Sequence, residues 1–129
     1  MKIRTEFTCP LEIVTDMIKG KWKTIIIWRL RKGETSLSKL RKDINGITEK
    51  MLLENLKELI DVGIVEKYEY EGYPLRVEYY LTNRGIDILK ALEILQQVGI
   101  QYMIEHGREA ELEDIGLINT YKKVGNWLY

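Results

Sequence analysis

The stretch from Thr35 to Thr82 constrains this 129-residue chain more than any other. TSLSKLRKDI carries Leu37, Leu40 and Ile44 three and four apart, the spacing of one buried helical stripe. Thr35 or Ser36 can cap that helix. Asn45-Gly46 ends it, because glycine readily takes the left-handed conformation needed there. TEKMLLENLKELIDVG reads as a second helix, with Thr48 as N-cap and Glu49 in the first turn. Leu52, Leu56, Leu59 and Ile60 form its core face, and Gly63 closes it. The opposite face carries Lys50, Leu53, Glu54 and Lys57. IVEKYEY, EGYPL and RVEYYLT follow as strand, loop and strand. Val77, Tyr79 and Leu81 alternate with Arg76, Glu78 and Tyr80, as in a half-buried strand.

A short helix pair joined by a Gly-containing turn is how proteins place one helix in a DNA major groove. A hairpin straight after it would be a wing. The expected fold is therefore α+β and mostly helical: a winged helix-turn-helix with a two-stranded β-hairpin wing and a long C-terminal dimerisation helix. One domain is expected over residues 1–129. It would comprise N-terminal helices (9–34), helix-turn-helix (35–63), wing hairpin (64–81), dimerisation helix (82–106) and a tail (107–129).

The flanking segments fit that plan. One helix is expected from Cys9-Pro10 to near Gly20, with Pro10 suiting a first helical position and Ile13, Met17 and Ile18 on its apolar side. A second should run from about Lys21 to Arg31. Its β-branched run suits a strand by propensity, but Trp22, Ile25, Ile26 and Leu30 fit a helical stripe, with Lys23, Arg31 and Lys32 outside it. Thr82 should cap a helix reaching about Glu105. That helix is apolar on more than one face, from Ile86 and Ile88 to Tyr102, Met103 and Ile104. A second subunit is the simplest cover for the further face. In the tail, an acidic patch mixes with Ile115, Leu117, Ile118, Trp127 and Leu128.

Formal net charge is zero, yet it is unevenly spread. Lys19 to Lys50 hold ten Lys/Arg against three Asp/Glu, a net of +7, whereas Ala91 to Tyr129 hold three against six, a net of −3. Basic excess at the front of the helix pair suits a polyanion there; a solvated basic helix face is the plainer alternative. With 45% hydrophobic and 31% charged residues the chain should be globular. No apolar run approaches the roughly 20 residues that span a bilayer, and MKIRTEFTCP lacks a signal-peptide core. One cysteine allows no internal disulfide, which fits a cytoplasmic location.

CPLE, GKWKTIIIWRL, LSKLRKDINGITEKMLLENLKELIDVGIV, YPLRVEYYLTNRG and the long helix together resemble the HxlR-type transcriptional regulators, a MarR-like group. The match covers about Cys9 to Tyr102 in several ordered motifs. The resemblance implies a homodimer that binds double-stranded DNA at an inverted repeat. By position, Thr48, Glu49, Lys50, Met51 and Glu54 open the recognition helix, with Lys57 further along it. Ser36, Ser38, Lys39 and Arg41 lie on the preceding helix near the backbone, and Arg76 follows the Tyr73-Pro74 wing turn. Ile88, Leu92, Leu95, Val98, Tyr102 and Met103 would form the dimer seam. Lys39, Lys42, Lys50 and Arg76 suit phosphate rather than bases. Glu54 can accept from cytosine N4, or pair with Lys50 or Lys57 along the helix.

Cys9 is the one candidate reactive group. It stands at a helix N-terminus, where partial positive charge favours thiolate. Several regulators of the resembling kind have a cysteine in this context, and some of them use it to sense oxidants, quinones or aldehydes. The alternative is a small packing residue. No enzyme is expected: His106, the only histidine, suits a helix C-terminal cap, and no Gly-rich phosphate loop or Cys/His metal spacing occurs, so neither metal nor cofactor is expected. A small-molecule effector cannot be named from these residues. The rival function is a winged helix used for protein contacts without sequence-specific DNA binding.

Overall fold

The computed structural model describes residues 1–117. In chain order it contains α1 (Leu11–Ile18), α2 (Lys23–Arg29) continued by a 3₁₀ turn (Leu30–Lys32), β1 (Thr35–Ser36), α3 (Leu37–Asp43), α4 (Glu49–Asp61), β2 (Val65–Tyr70), β3 (Arg76–Leu81), α5 (Asn83–Glu105) and α6 (Glu109–Asp114). The described chain falls into two compact units, Met1–Leu89 and the part from Lys90 onward, and α5 begins in the first and continues into the second. Ile118, Trp127 and Leu128 of the expected tail lie outside the described residues.

In the first unit, the helix-turn-helix forms as its capping residues require. Ser36, not Thr35, caps α3, its hydroxyl accepting from Lys39 N at 3.2 Å. Thr48 caps α4 in the same way, accepting from Met51 N at 3.1 Å. Between them Gly46 takes φ 86°, a conformation that favours glycine. Leu40 of α3, Ile44 just past its end, and Leu52, Leu56 and Leu59 of α4 are buried, as are Ile26, Ile27 and Leu30. Each such side chain contributes roughly 1.5–3 kcal/mol by leaving water.

The hairpin is as expected, and a third strand joins it. Thr35 pairs with Tyr79 and Ser36 with Glu78, so the antiparallel sheet has the order β1-β3-β2. The Val65↔Leu81 to Tyr70↔Arg76 register sends Val65 and Tyr79 into the core. A two-residue strand carries too little pattern to be seen in sequence.

The phase of α2 differs from expectation. Ile25 is exposed and Lys23 is buried, only 6% accessible. Lys23 lies inward because Glu58 of α4 meets its ammonium at 2.8 Å, an attraction no apolar periodicity reports. The ammonium holds the Glu58 carboxyl below its ordinary value of 4.5. In α1 the expected apolar residues Ile13, Met17 and Ile18 are half-buried, whereas Asp16 is the buried position. Arg4 donates to it through Nε at 2.8 Å, Nη2 at 2.9 Å and its backbone N at 3.0 Å. These donors hold the Asp16 carboxyl far below the usual carboxylate range.

Thr82 ties the wing to α5. Its hydroxyl accepts from Gly85 N at 3.1 Å and donates to Gly63 O at 2.5 Å, and its backbone N donates to Ile64 O at 3.0 Å. Gly85 is buried at this crossing, and a Cβ there would overlap the Ile64 carbonyl oxygen. In the second unit, α5 ends with His106 Nδ1 at 2.8 Å from Tyr102 O, the rings stacked at 4.0 Å. Leu112 of α6 is buried there, and Arg108 pairs with Glu111 at 2.7 Å. Among the described residues no helix is long and apolar enough to cross a membrane.

Two outcomes are expected in thermal or denaturant unfolding. Glu58→Gln should cost about 1–3 kcal/mol near pH 7, because it weakens a charge-assisted bond to a buried ammonium. The native carboxyl titrates below its unfolded value, so this stabilisation is present above pH 4.5 and fades as pH falls through the native value. The gap between wild type and variant should therefore narrow in acid. Gly85→Ala should cost about 1–3 kcal/mol by overpacking against backbone; an unchanged midpoint would show that α5 and the β2 entry do not approach as described.

Candidate nucleic-acid interface

The exposed side of α4 is set by its buried side. With Leu52, Leu56 and Leu59 turned inward, Lys50, Leu53, Glu54 and Lys57 stand in solvent as one face. Thr48 and Glu49, at the helix entry, are also exposed, and Met51 is half-buried. The Ser36 and Thr48 hydroxyls are occupied by their caps. Ser38 is exposed, its Oγ 3.2 Å from that of Ser36.

The basic residues are partly engaged with neighbouring acids. Lys39 meets Asp43 one turn on at 2.9 Å and holds that carboxyl below its ordinary value. Arg41 of α3 reaches across the turn to Glu49 of α4 at 3.8 Å. Both pairs are open to solvent, where screening leaves little net attraction. Phosphate oxygens can thus displace the carboxylates at small cost. The expected pairing of Glu54 with Lys50 or Lys57 does not form: among the described residues Glu54 makes no ion pair. The acid that is paired is Glu49, and its partner comes from another helix.

Arg76 stands where β3 leaves the wing tip, exposed, with its guanidinium 4.0 Å from the centre of the Tyr70 ring. Tyr70 and Arg76 are direct cross-strand partners. The Tyr70 hydroxyl donates to Glu34 at 3.0 Å and Glu78 at 3.2 Å, and these carboxylates push its pKa up. A ring held from both sides limits where the arginine points, and stacking of this kind contributes about 0.5–1 kcal/mol at an exposed site. Tyr70 was not singled out from sequence. Its role follows only from the strand register, which pairs residue 70 with residue 76. At the tip, Tyr73 is fully exposed and Leu75 largely so.

Ser36, Ser38, Lys39, Arg41, Thr48, Glu49, Lys50, Met51, Glu54, Lys57 and Arg76 all fall within the first unit. On α5, Leu95, Val98 and Tyr102 are exposed, together with Ile94, whereas Ile88 and Met103 are half-buried. Leu92 is buried within the single chain and has little surface left to offer a partner. Cys9 is a free, exposed thiol. The nearby helix-end amides already have an anion: Glu12 Oε2 accepts from Thr8 N at 2.7 Å and lies 3.4 Å from Cys9 N. Among the described residues no three His, Cys, Asp or Glu are grouped to hold a metal.

This arrangement of helices and wing matches a known group. A model of the HxlR-like helix-turn-helix matches residues 17–107. The chain belongs to the HxlR-like helix-turn-helix family. It is 35% identical over 108 residues to YkvN, an uncharacterized HTH-type transcriptional regulator of Bacillus subtilis strain 168, covering 84% of this chain and 92% of that protein. Its structure is similar to that of the redox regulator HypR in its oxidized form, with 34% identity, a TM-score of 0.67, and coverage of 70% of this chain and 94% of that one. It is also similar to the reduced form of the transcriptional regulator YodB from Bacillus subtilis, with 30% identity, a TM-score of 0.64, and coverage of 74% and 95%. This HxlR-like protein is thus a transcriptional regulator of helix-turn-helix type with a winged-helix fold. Its family and relatives are regulators, not enzymes.

Proposed function

We propose that this HxlR-like regulator binds double-stranded DNA as a homodimer at an inverted-repeat operator, in the cytoplasm where that DNA lies. The observation that carries the reading is the outward face of α4, bounded on the α3 side by solvent-exposed Lys39, Arg41 and Lys42. With the inward row buried, Thr48, Glu49, Lys50, Leu53 and Glu54 are exposed at the α4 entry, which supports placing that entry in a major groove. Lys50, Lys57 and Arg76 would then meet phosphate. Ile94, Leu95, Val98 and Tyr102 form an exposed apolar stripe on α5, at 50% to 61% accessibility. A stripe of that kind is costly in water and suits a two-fold seam with a second copy.

The experiment is a salt series. Lys50→Ala and Arg76→Ala should each weaken binding of a selected duplex and flatten the slope of log affinity against log salt by about 1. Unchanged affinity in both variants would contradict the groove assignment. Val98→Glu should place a charge in the proposed seam, shift the free protein toward monomer at micromolar concentration, and reduce operator affinity. A variant that stays dimeric, seen by sedimentation, would remove α5 from the seam.

A redox response is the finer part of the proposal. It is supported by the exposed Cys9 thiol and by the similarity to HypR, a redox regulator solved in its oxidized form, and to YodB, a transcriptional regulator solved in its reduced form. With one cysteine per chain, oxidation by a peroxide can proceed through a sulfenic acid to a disulfide only with a second chain or a small thiol. Operator affinity should change on oxidation and recover with a dithiol, and Cys9→Ser should abolish the change. A Cys9→Ser protein that responds as wild type does would end that part of the reading.

A further inference from the structure

The outward face of α4 contains two side chains that phosphate binding does not call for. Lys50, Leu53, Glu54 and Lys57 stand at positions i, i+3, i+4 and i+7, all exposed. Seven residues of helix rise about 10.5 Å, close to three base-pair steps of about 3.4 Å. Within this row Glu54 and Leu53 have the wrong chemistry for a DNA backbone. A carboxylate is repelled by phosphate, and a leucine gains nothing from it. Yet Leu53 is 43% exposed while Leu52 beside it is fully buried, so the helix holds Leu53 out rather than tucking it away.

The two acids near the helix entry are not equivalent. Glu49 sits in the first turn, where it complements the helix dipole, and Arg41 faces it at 3.8 Å. Glu54 lies further in, between Lys50 and Lys57, and its carboxylate points to solvent. A carboxylate can only accept hydrogen bonds. In the major groove, cytosine offers an N4 amino donor without an acceptor of its own, whereas adenine sets its N6 donor beside the N7 acceptor. Cytosine is therefore the base whose groove edge a carboxylate fits. The one apolar group in that groove is the thymine methyl.

We propose that Glu54 and Leu53 determine sequence specificity, Glu54 accepting from the N4 amino of a cytosine and Leu53 packing on the methyl of a neighbouring thymine in each half-site. Lys50 and Lys57 then secure the helix on the flanking phosphates. The proposal rests on the DNA-binding reading above and adds to it which bases are read and by which side chains.

Random-duplex selection on wild type and on Glu54→Gln tests it, with thymine replaced by uracil in the selected site as a second arm. Both substituted positions are exposed, so folding is not at issue. Wild type should enrich a half-site with one fixed cytosine. Glu54→Gln should move the preference at that position to adenine, which an amide meets with both a donor and an acceptor. The switch should amount to about 5- to 150-fold, the range of one good base contact. Uracil at the thymine should weaken wild type several-fold and leave Leu53→Ala indifferent. If wild type and Glu54→Gln enrich the same inverted repeat, the proposal fails while the DNA-binding reading stands. If neither enriches any duplex, the DNA-binding reading fails and takes the proposal with it.

Discussion

Everything this regulator shows to solvent near its helix-turn-helix depends on one buried row. Leu52, Leu56 and Leu59 of α4 are at most 1% accessible, and they share a core with Leu40, Ile26, Ile27 and Leu30. Packing of that density leaves α4 one orientation about its axis, because rotating it would expose leucines and bury lysines. The outward row is the geometric complement of that choice. Thr48 and Ser36 fix where the two helices begin, and Gly46 allows the turn between them. The candidate DNA surface is thus a product of core formation, made before any ligand is present.

Polar anchors complete what the apolar row starts. Lys23 and Glu58 join α2 to α4, Arg4 and Asp16 secure the segment before α1 against that helix, and Thr82 joins the wing to the start of α5. In contrast, the ion pairs on the candidate DNA face, Lys39–Asp43 and Arg41–Glu49, are exposed. In each scaffold ion pair one partner, Lys23 or Asp16, is buried, so breaking the pair leaves a buried charge uncompensated, whereas pairs without a buried partner are readily exchanged. Under the proposed function, this division would let the surface trade carboxylates for phosphates while the scaffold stays fixed.

Much of this was legible in the sequence, and the rest was hidden for physical reasons. Leu40, Ile44, Leu52, Leu56 and Leu59 are spaced at helical period, and Thr48, Asn45-Gly46 and Thr82 are strong boundary signals, so the elements and the family resemblance could be read directly. Lys23 was assigned to the wrong side of α2 because its burial depends on Glu58, 35 residues away. Asp16 escapes the periodicity for the same reason, since its burial depends chiefly on Arg4, twelve residues away. Strand β1 was missed because two residues have no period. The placement of Tyr70 under Arg76 is a matter of hairpin register, and helical spacing alone cannot tell whether Glu54 meets Lys50, Lys57 or neither.

The central claim is that two copies of this chain hold one duplex through α4. Sedimentation of the protein with a selected inverted-repeat duplex, at physiological salt, tests it most directly. The account expects a saturable complex of two chains per duplex, with half-sites about one helical turn, roughly 34 Å, apart. A complex of one chain per duplex, or only weak binding indifferent to half-site spacing, would contradict it.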